Sequence, residues 1–108
     1  MNVQITAKKI EIPADIREYA KEKIGKLEKF SHKIQNVEAV IKAEERRIVC
    51  EIIVRVDNRA PIIIEVDADT IQSAVDLAVD KCERQIRKDK ERESAHRHQS
   101  PDAKNEER

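Results

Sequence analysis

Three basic residues near the C-terminal end of the chain repeat at the spacing of one helix face. Lys81, Arg84 and Lys88 stand at positions i, i+3 and i+7. Because an α-helix turns about 100° per residue, their side chains share one flank. Fixed cations in such a row can hold phosphate groups of a nucleic acid. The acidic residues of the same stretch fall on the other flank and are Asp76, Asp80 and Glu83.

The stretch from Thr70 to Lys90 also carries an apolar stripe, which predicts an amphipathic helix. Its members are Ile71, Ala74, Val75, Ala78, Cys82 and Ile86. We expect the positive row to lie where this helix meets its neighbour and to present cations in a groove there. The alternative is a solvated flank whose charges cancel in i,i+4 pairs such as Asp80 with Arg84. This stretch alone leaves both interpretations open.

A helix is also predicted from about Pro13 to Phe30, with the proline in the first turn, where its missing N–H costs least. Lys23 falls inside its apolar stripe and Lys26 lies beside it. A lysine there must extend along the edge of the packed face. It either covers apolar surface or points into a groove shared with the C-terminal helix. The candidate RNA-binding residues are therefore Lys23, Lys26, Lys81, Arg84, Arg87, Lys88 and Lys90.

Alternation of apolar and polar residues predicts four strands, at 2–8, 36–43, 47–56 and about 62–67. The order β-α-β-β-β-α predicts an α+β fold, with a four-stranded sheet and both helices on one face. The first strand is expected beside the second. Without the first strand, this is the order of double-stranded RNA-binding domains. Those domains carry lysines at the start of their second helix, where this chain has Asp67-Ala-Asp-Thr70, so the usual duplex mode is disfavoured.

Composition places bounds on the function. The 108 residues suit one domain, predicted at 1–90, followed by a charged tail at 91–108 that is disordered or a truncated linker. The net charge is zero, so nucleic-acid binding has to depend on local charge. Aromatic residues make up 2% of the chain, which disfavours base stacking on single strands. With no membrane-length apolar run and no signal-peptide pattern, a cytoplasmic protein is expected.

The residue types needed for catalysis are not arranged for it. The chain has one glycine and therefore no phosphate-binding glycine loop. Cys50 and Cys82 lack CxxC spacing and are expected to be buried thiols. His32, His96 and His98 have no third ligand at metal-site spacing. We predict no enzyme activity, cofactor, metal or small-molecule substrate.

Two binding hypotheses remain. The first is RNA binding by the basic faces of the two helices. The second is a protein-interaction module that pairs through a sheet edge or through the outer sheet face, where aliphatic residues stand among charges. That second hypothesis includes weak self-association through the outer face. Salt separates the two, because phosphate contacts weaken steeply with ionic strength and apolar pairing does not.

Several segments, taken in order, resemble the ribosome hibernation-promoting factor family, also called ribosome-associated inhibitor, protein Y or sigma-54 modulation protein. The resemblance spans residues 1–92. Its segments are Gln4-Ile-Thr, the Ile10-Glu-Ile turn, Ile16-Arg-Glu-Tyr-Ala-Lys-Glu-Lys-Ile-Gly-Lys-Leu-Glu-Lys-Phe30 and Val75-Asp-Leu-Ala-Val-Asp-Lys-Cys-Glu-Arg-Gln-Ile-Arg-Lys88. The last is the most specific, with six residues at family spacing: Asp76, Asp80, Lys81, Arg84, Gln85 and Lys88.

The resemblance implies a factor that binds 16S rRNA of the small (30S) ribosomal subunit in its decoding cleft. Such a factor blocks the messenger and transfer RNA sites under stress or in stationary phase. The residues that match the family's rRNA-facing positions are Lys23, Lys26, Lys81, Arg84, Lys88 and, less closely, Arg87. Whether the chain is a short-form factor or the N-terminal part of a long form stays open, as does its effect on ribosome pairing.

Overall fold

The structure is a computed structural model that describes residues 1–98, with side chains described for residues 1–91. The elements follow the predicted order: β1 (Asn2–Lys8), α1 (Ala14–Gly25), a 3-10 helix (Lys26–Phe30), β2 (Ile34–Glu44), β3 (Arg47–Val56), β4 (Ile62–Ala68) and α2 (Ile71–His98).

The four strands form one mixed sheet in the order β1-β2-β3-β4. β1 runs parallel to β2, with Val3 opposite Val37, and the other two pairings are antiparallel. A parallel pair needs a crossover connection, and α1 with the 3-10 helix supplies it. The predicted α+β fold, with β1 beside β2, is confirmed.

The core lies between the sheet and the two helices. Inward residues of the central strands, such as Ile41 and Ile52, are fully buried against Ile24 of α1 and Val75 of α2. Alternation along the strands supplies one wall, and the apolar stripes of the helices supply the other. The core fixes the rotation of both helices about their axes, and this decides which side chains face solvent.

Both cysteines belong to this core, as predicted. Cys50 of β3 and Cys82 of α2 are free thiols with no exposed surface. Burial raises the pKa of each thiol from 9.0 to about 12, because the thiolate would lose its solvation.

The N-terminal helix differs from the prediction in its last turns. The α-helix ends at Gly25, and the chain continues to Phe30 as a 3-10 helix. Glycine favours this change because it stabilises an α-helix poorly. At three residues per turn, Leu27 and Phe30 line up on one side. Leu27 is buried and Phe30 packs against the core, so the tighter winding keeps both on the sheet side.

The ends of two other elements also differ. β2 begins at Ile34, two residues before its predicted start, because Ile34 is buried and pairs with Val56 across an irregularity in the register. α2 continues to His98, beyond the predicted end at Lys90. Residues 99–108 lie outside the described part, so the division into 1–90 and 91–108 stays a prediction. Neither helix within the described residues has the length and apolarity needed to cross a membrane.

Candidate nucleic-acid interface

The two helices meet through an acidic residue of α2. The hydroxyl of Tyr19 donates a hydrogen bond to the carboxylate of Asp76. The Nζ atom of Lys23 lies 3.6 Å from the same carboxylate. Tyrosine usually finds a polar partner when its ring is packed, and Asp76 supplies it here. The flank of α2 that carries Asp76 is therefore the one that faces α1.

The positive row lies on the other side of α2. Lys81 follows Asp76 by five residues, which places it about 140° further around the helix axis. Lys88 lies on the same flank as Lys81, and Arg84 lies near the solvent-facing crest. The interpretation that this row lines the groove between the helices is wrong, because α1 packs against the Asp76 flank.

The groove between the helices is instead lined by acids. Lys23 borders it together with Asp76, Asp80 and Glu83. We call these three carboxylates the acid row. They occupy positions i, i+4 and i+7 of α2, so they form one line along its axis, within about 60° of one another around the helix. The acid row therefore separates the cations of α1 from Lys81 and Lys88.

Each member of the acid row pairs with one of the predicted RNA-binding residues. The distances between nitrogen and oxygen are 3.6 Å for Lys23–Asp76, 2.5 Å for Arg84–Asp80 and 3.0 Å for Arg87–Glu83. Exposed pairs of this kind contribute about 0–1 kcal/mol to stability. They orient the cations without binding them tightly, so a phosphate group can displace the carboxylate.

Two cations, one from the 3-10 helix and one from α2, lie near the same aromatic ring where these helices meet. Lys26 is exposed on the 3-10 helix. The charged groups of Lys29 and Arg87 lie 5.4 Å and 5.2 Å from the centre of the Phe30 ring. The sequence interpretation missed Lys29, although residues three apart in a 3-10 helix line up and Lys29 follows Lys26 by three. We call Lys23, Lys26, Lys29 and Arg87 the inner set.

The cations beyond the acid row form the outer set, which comprises Lys81, Arg84 and Lys88. All three are exposed. Within residues 1–91, Lys81 and Lys88 have no carboxylate at ion-pair distance. Lys90 belongs to neither set, because it borders a small crevice under α2 together with Ser31 and Asp89.

A match to a protein-family model identifies the family to which this fold belongs. Residues 3–94 match the model described as sigma 54 modulation protein / S30EA ribosomal protein. The chain belongs to this family. The resemblance inferred from the sequence is confirmed, and membership supports the prediction that the chain is not an enzyme.

Two relatives of similar length are both named ribosome hibernation promoting factor. The chain is 29% identical over 96 residues to the ribosome hibernation promoting factor of Escherichia coli (strain K12), a match that covers 89% of this chain and 100% of the relative. It is 26% identical over 95 residues to the Pseudomonas putida protein of the same name, covering 88% and 92% of the two chains.

Solved structures of two further proteins share the fold. A ribosomal subunit interface protein from Coxiella burnetii superposes with a TM-score of 0.77 at 22% identity, over 83% of this chain and 98% of that chain. The N-terminal domain of Thermus thermophilus protein Y superposes with a TM-score of 0.72 at 24% identity, over 81% and 97%. These likenesses support the architecture that positions both cation sets.

The outer sheet face offers less apolar surface than the alternation predicted. Ile63 is 58% exposed, but Val49 is only 6% exposed. Lys42 of β2 and Asp67 of β4 lie opposite Val49 in the sheet, and elsewhere on this face Arg55 lies 3.8 Å from Glu38. Long charged side chains can cover apolar surface, so this family member exposes a single large aliphatic residue here among its described residues.

Proposed function

We propose that this chain is a ribosome hibernation factor that binds 16S rRNA of the small ribosomal subunit in its decoding cleft. Occupation of that cleft would block the messenger and transfer RNA sites under stress or in stationary phase. Support comes from membership of the family and from relatives named ribosome hibernation promoting factors. A ribosomal partner also implies a cytoplasmic location.

The exposure of the outer set on one flank of α2 is the observation that most supports this proposal. Its three cations are exposed on a helix whose opposite side is anchored in the core. Folded RNA is recognised largely through its shape and its phosphates, which requires cations at fixed spacing. Since the domain has one tyrosine and one phenylalanine, it is better suited to phosphate contacts than to base stacking.

Pelleting with purified small subunits across a salt series tests the proposal. Each phosphate contact releases condensed counterions, so the logarithm of the binding constant should fall linearly with the logarithm of salt concentration. Binding that hardly changes between low and high salt would contradict a phosphate-based mechanism. An accompanying polysome profile should show loss of translating ribosomes when the protein is added to an extract.

A charge-reversed pair of variants locates the contact. Lys81→Glu with Arg84→Glu should abolish pelleting with small subunits and leave the fold intact, because both side chains are exposed. Lys8→Glu with Lys21→Glu makes the same change in net charge at exposed positions outside both cation sets. Equal binding by the two double variants would overturn the site assignment.

One observation favours the alternative of a protein-interaction module. Ile63 of the edge strand β4 exposes 58% of its surface, and an exposed edge strand can add a strand from a partner. Under this alternative, binding would persist at high salt, and Ile63→Lys would weaken it more than the Lys81 and Arg84 reversals.

A further inference from the structure

The acid row is the feature of this surface that simple phosphate binding does not explain. Its three carboxylates are 30–55% exposed and lie between two groups of cations that would bind a polyanion better without them. Exposed ion pairs add little to folding stability. Asp76 also accepts the hydrogen bond from Tyr19 that joins the two helices. The fold has little need of Asp80 and Glu83, and their position points to the interaction with the ligand.

We infer that Asp76, Asp80 and Glu83 are specificity determinants that divide the cationic surface into two phosphate-binding tracks. The inference rests on the proposed function. One track is the inner set and the other is the outer set. The ligand class it favours is folded RNA that presents two separate backbone segments, one on each side of α2. A single continuous strand laid across the helices would place its phosphates against carboxylates.

The geometry gives this division a physical scale. An α-helix with its side chains is about 10–12 Å across, so the lysines on the α1 side and the lysines on the far flank of α2 are separated by at least roughly that distance. Arg84 and Arg87 lie only three residues apart and border Asp80 from either side. The separation of the lysines is somewhat longer than the Debye length, about 8 Å at physiological ionic strength. A phosphate held by one track is thus partly screened from the other track but still meets the acids between them.

In such a complex, the carboxylates can also contact the RNA directly. A ribose 2′-hydroxyl can donate a hydrogen bond, and a carboxylate accepts one. With its two backbones held on either side, a folded RNA would present sugars rather than phosphates to the crest of α2. The acid row would then repel misplaced phosphates and accept hydrogen bonds from correctly placed riboses.

A neutralised acid row tests the inference. The variant Asp76→Asn, Asp80→Asn and Glu83→Gln should bind a single-stranded oligouridylate about tenfold more tightly than the unaltered chain, with a steeper salt dependence. Its affinity for small subunits should rise less, so the preference for subunits over oligouridylate should shrink. Circular dichroism and the unfolding midpoint would show that both proteins are folded.

A matched control variant separates the effect of where the acids lie from the effect of the change in net charge. Glu38→Gln, Glu51→Gln and Glu65→Gln changes the net charge by the same amount on the outer sheet face. This control should tighten oligouridylate binding less than threefold. If the two triple variants gain equally, or if neither gains, the acid row has no selective role and the inference fails.

Failure of the proposed function would look different. In that case, the unaltered chain would not pellet with small subunits at any salt concentration, whatever the variants did with oligouridylate. If the unaltered chain pellets and the acid-row variant gains no more than its control, only the two-track division is overturned.

Discussion

The two flanks of α2 carry positive charge in different ways. On the flank that faces α1, Lys23 and Arg87 each lie within 4 Å of a carboxylate of the acid row. On the flank that faces away, Lys81 and Lys88 have no such partner among residues 1–91. A paired cation is oriented but partly neutralised, whereas an unpaired one is fully available to a phosphate. We therefore predict that, in the proposed complex, the outer flank supplies most of the affinity and the inner flank supplies alignment.

The largest effect should come from reversing charge on one flank at a time. Lys81→Glu with Lys88→Glu should weaken small-subunit binding on the order of 100-fold, because two available cations become repulsive. Lys23→Glu with Arg87→Glu should weaken it on the order of tenfold, because those charges are already balanced in part. Titration at fixed salt measures both. Equal losses would show that ion pairing within the chain does not modulate the contacts.

The sequence predicted the two rows of α2 but not the direction in which each row points. Helical periodicity fixes the angle between Asp76 and Lys81, and that angle is as expected. It does not say where α1 lies, since this depends on how α1 and α2 pack on the sheet. Tyr19 offered a hint, because a tyrosine at the edge of a packed stripe needs a hydrogen-bond partner and Asp76 was available for that role.

The sheet was more predictable than the site. β1 and β3 have the predicted limits, because strict alternation allows only one register with the apolar side inward. The change to a 3-10 helix after Gly25 was not predicted, since the periods 3.0 and 3.6 differ little over five residues. That change brings Lys26 and Lys29 into line, and the missed residue of the inner set follows from it.

The core beneath α2, which contains one thiol from β3 and one from α2, should make folding stability depend on alkaline pH. The pKa of Cys50 and of Cys82 is raised to about 12 in the folded chain. Above pH 9, the unfolded chain loses these protons first, so folding stability falls as pH rises towards 12. From pH 8 to 10, the loss should be about 1 kcal/mol for each thiol.

Urea unfolding at both pH values measures this loss. A variant with Cys50→Ala and Cys82→Ala should be less stable at pH 8 but should lose less stability at pH 10. The two proteins differ only at these two positions, so the difference between them isolates the thiols. An equal fall in both would mean that the core does not hold these two thiols in the protonated form.

The smallest effect concerns the contact that aligns the two helices. Tyr19→Phe removes the hydroxyl that donates to Asp76 and should cost about 0.5–1.5 kcal/mol of folding stability. It leaves Asp76 with Lys23 as its remaining partner, so Lys23 becomes more strongly paired and less available to a phosphate. Small-subunit binding should therefore weaken about two- to threefold, with a slightly shallower salt dependence.

Lys88→Ala in the Tyr19→Phe background should cost as much small-subunit affinity as it does with Tyr19 intact, because effects at independent sites add. A strong coupling between positions 19 and 88 would show that the two flanks act as one surface, against the division by the acid row.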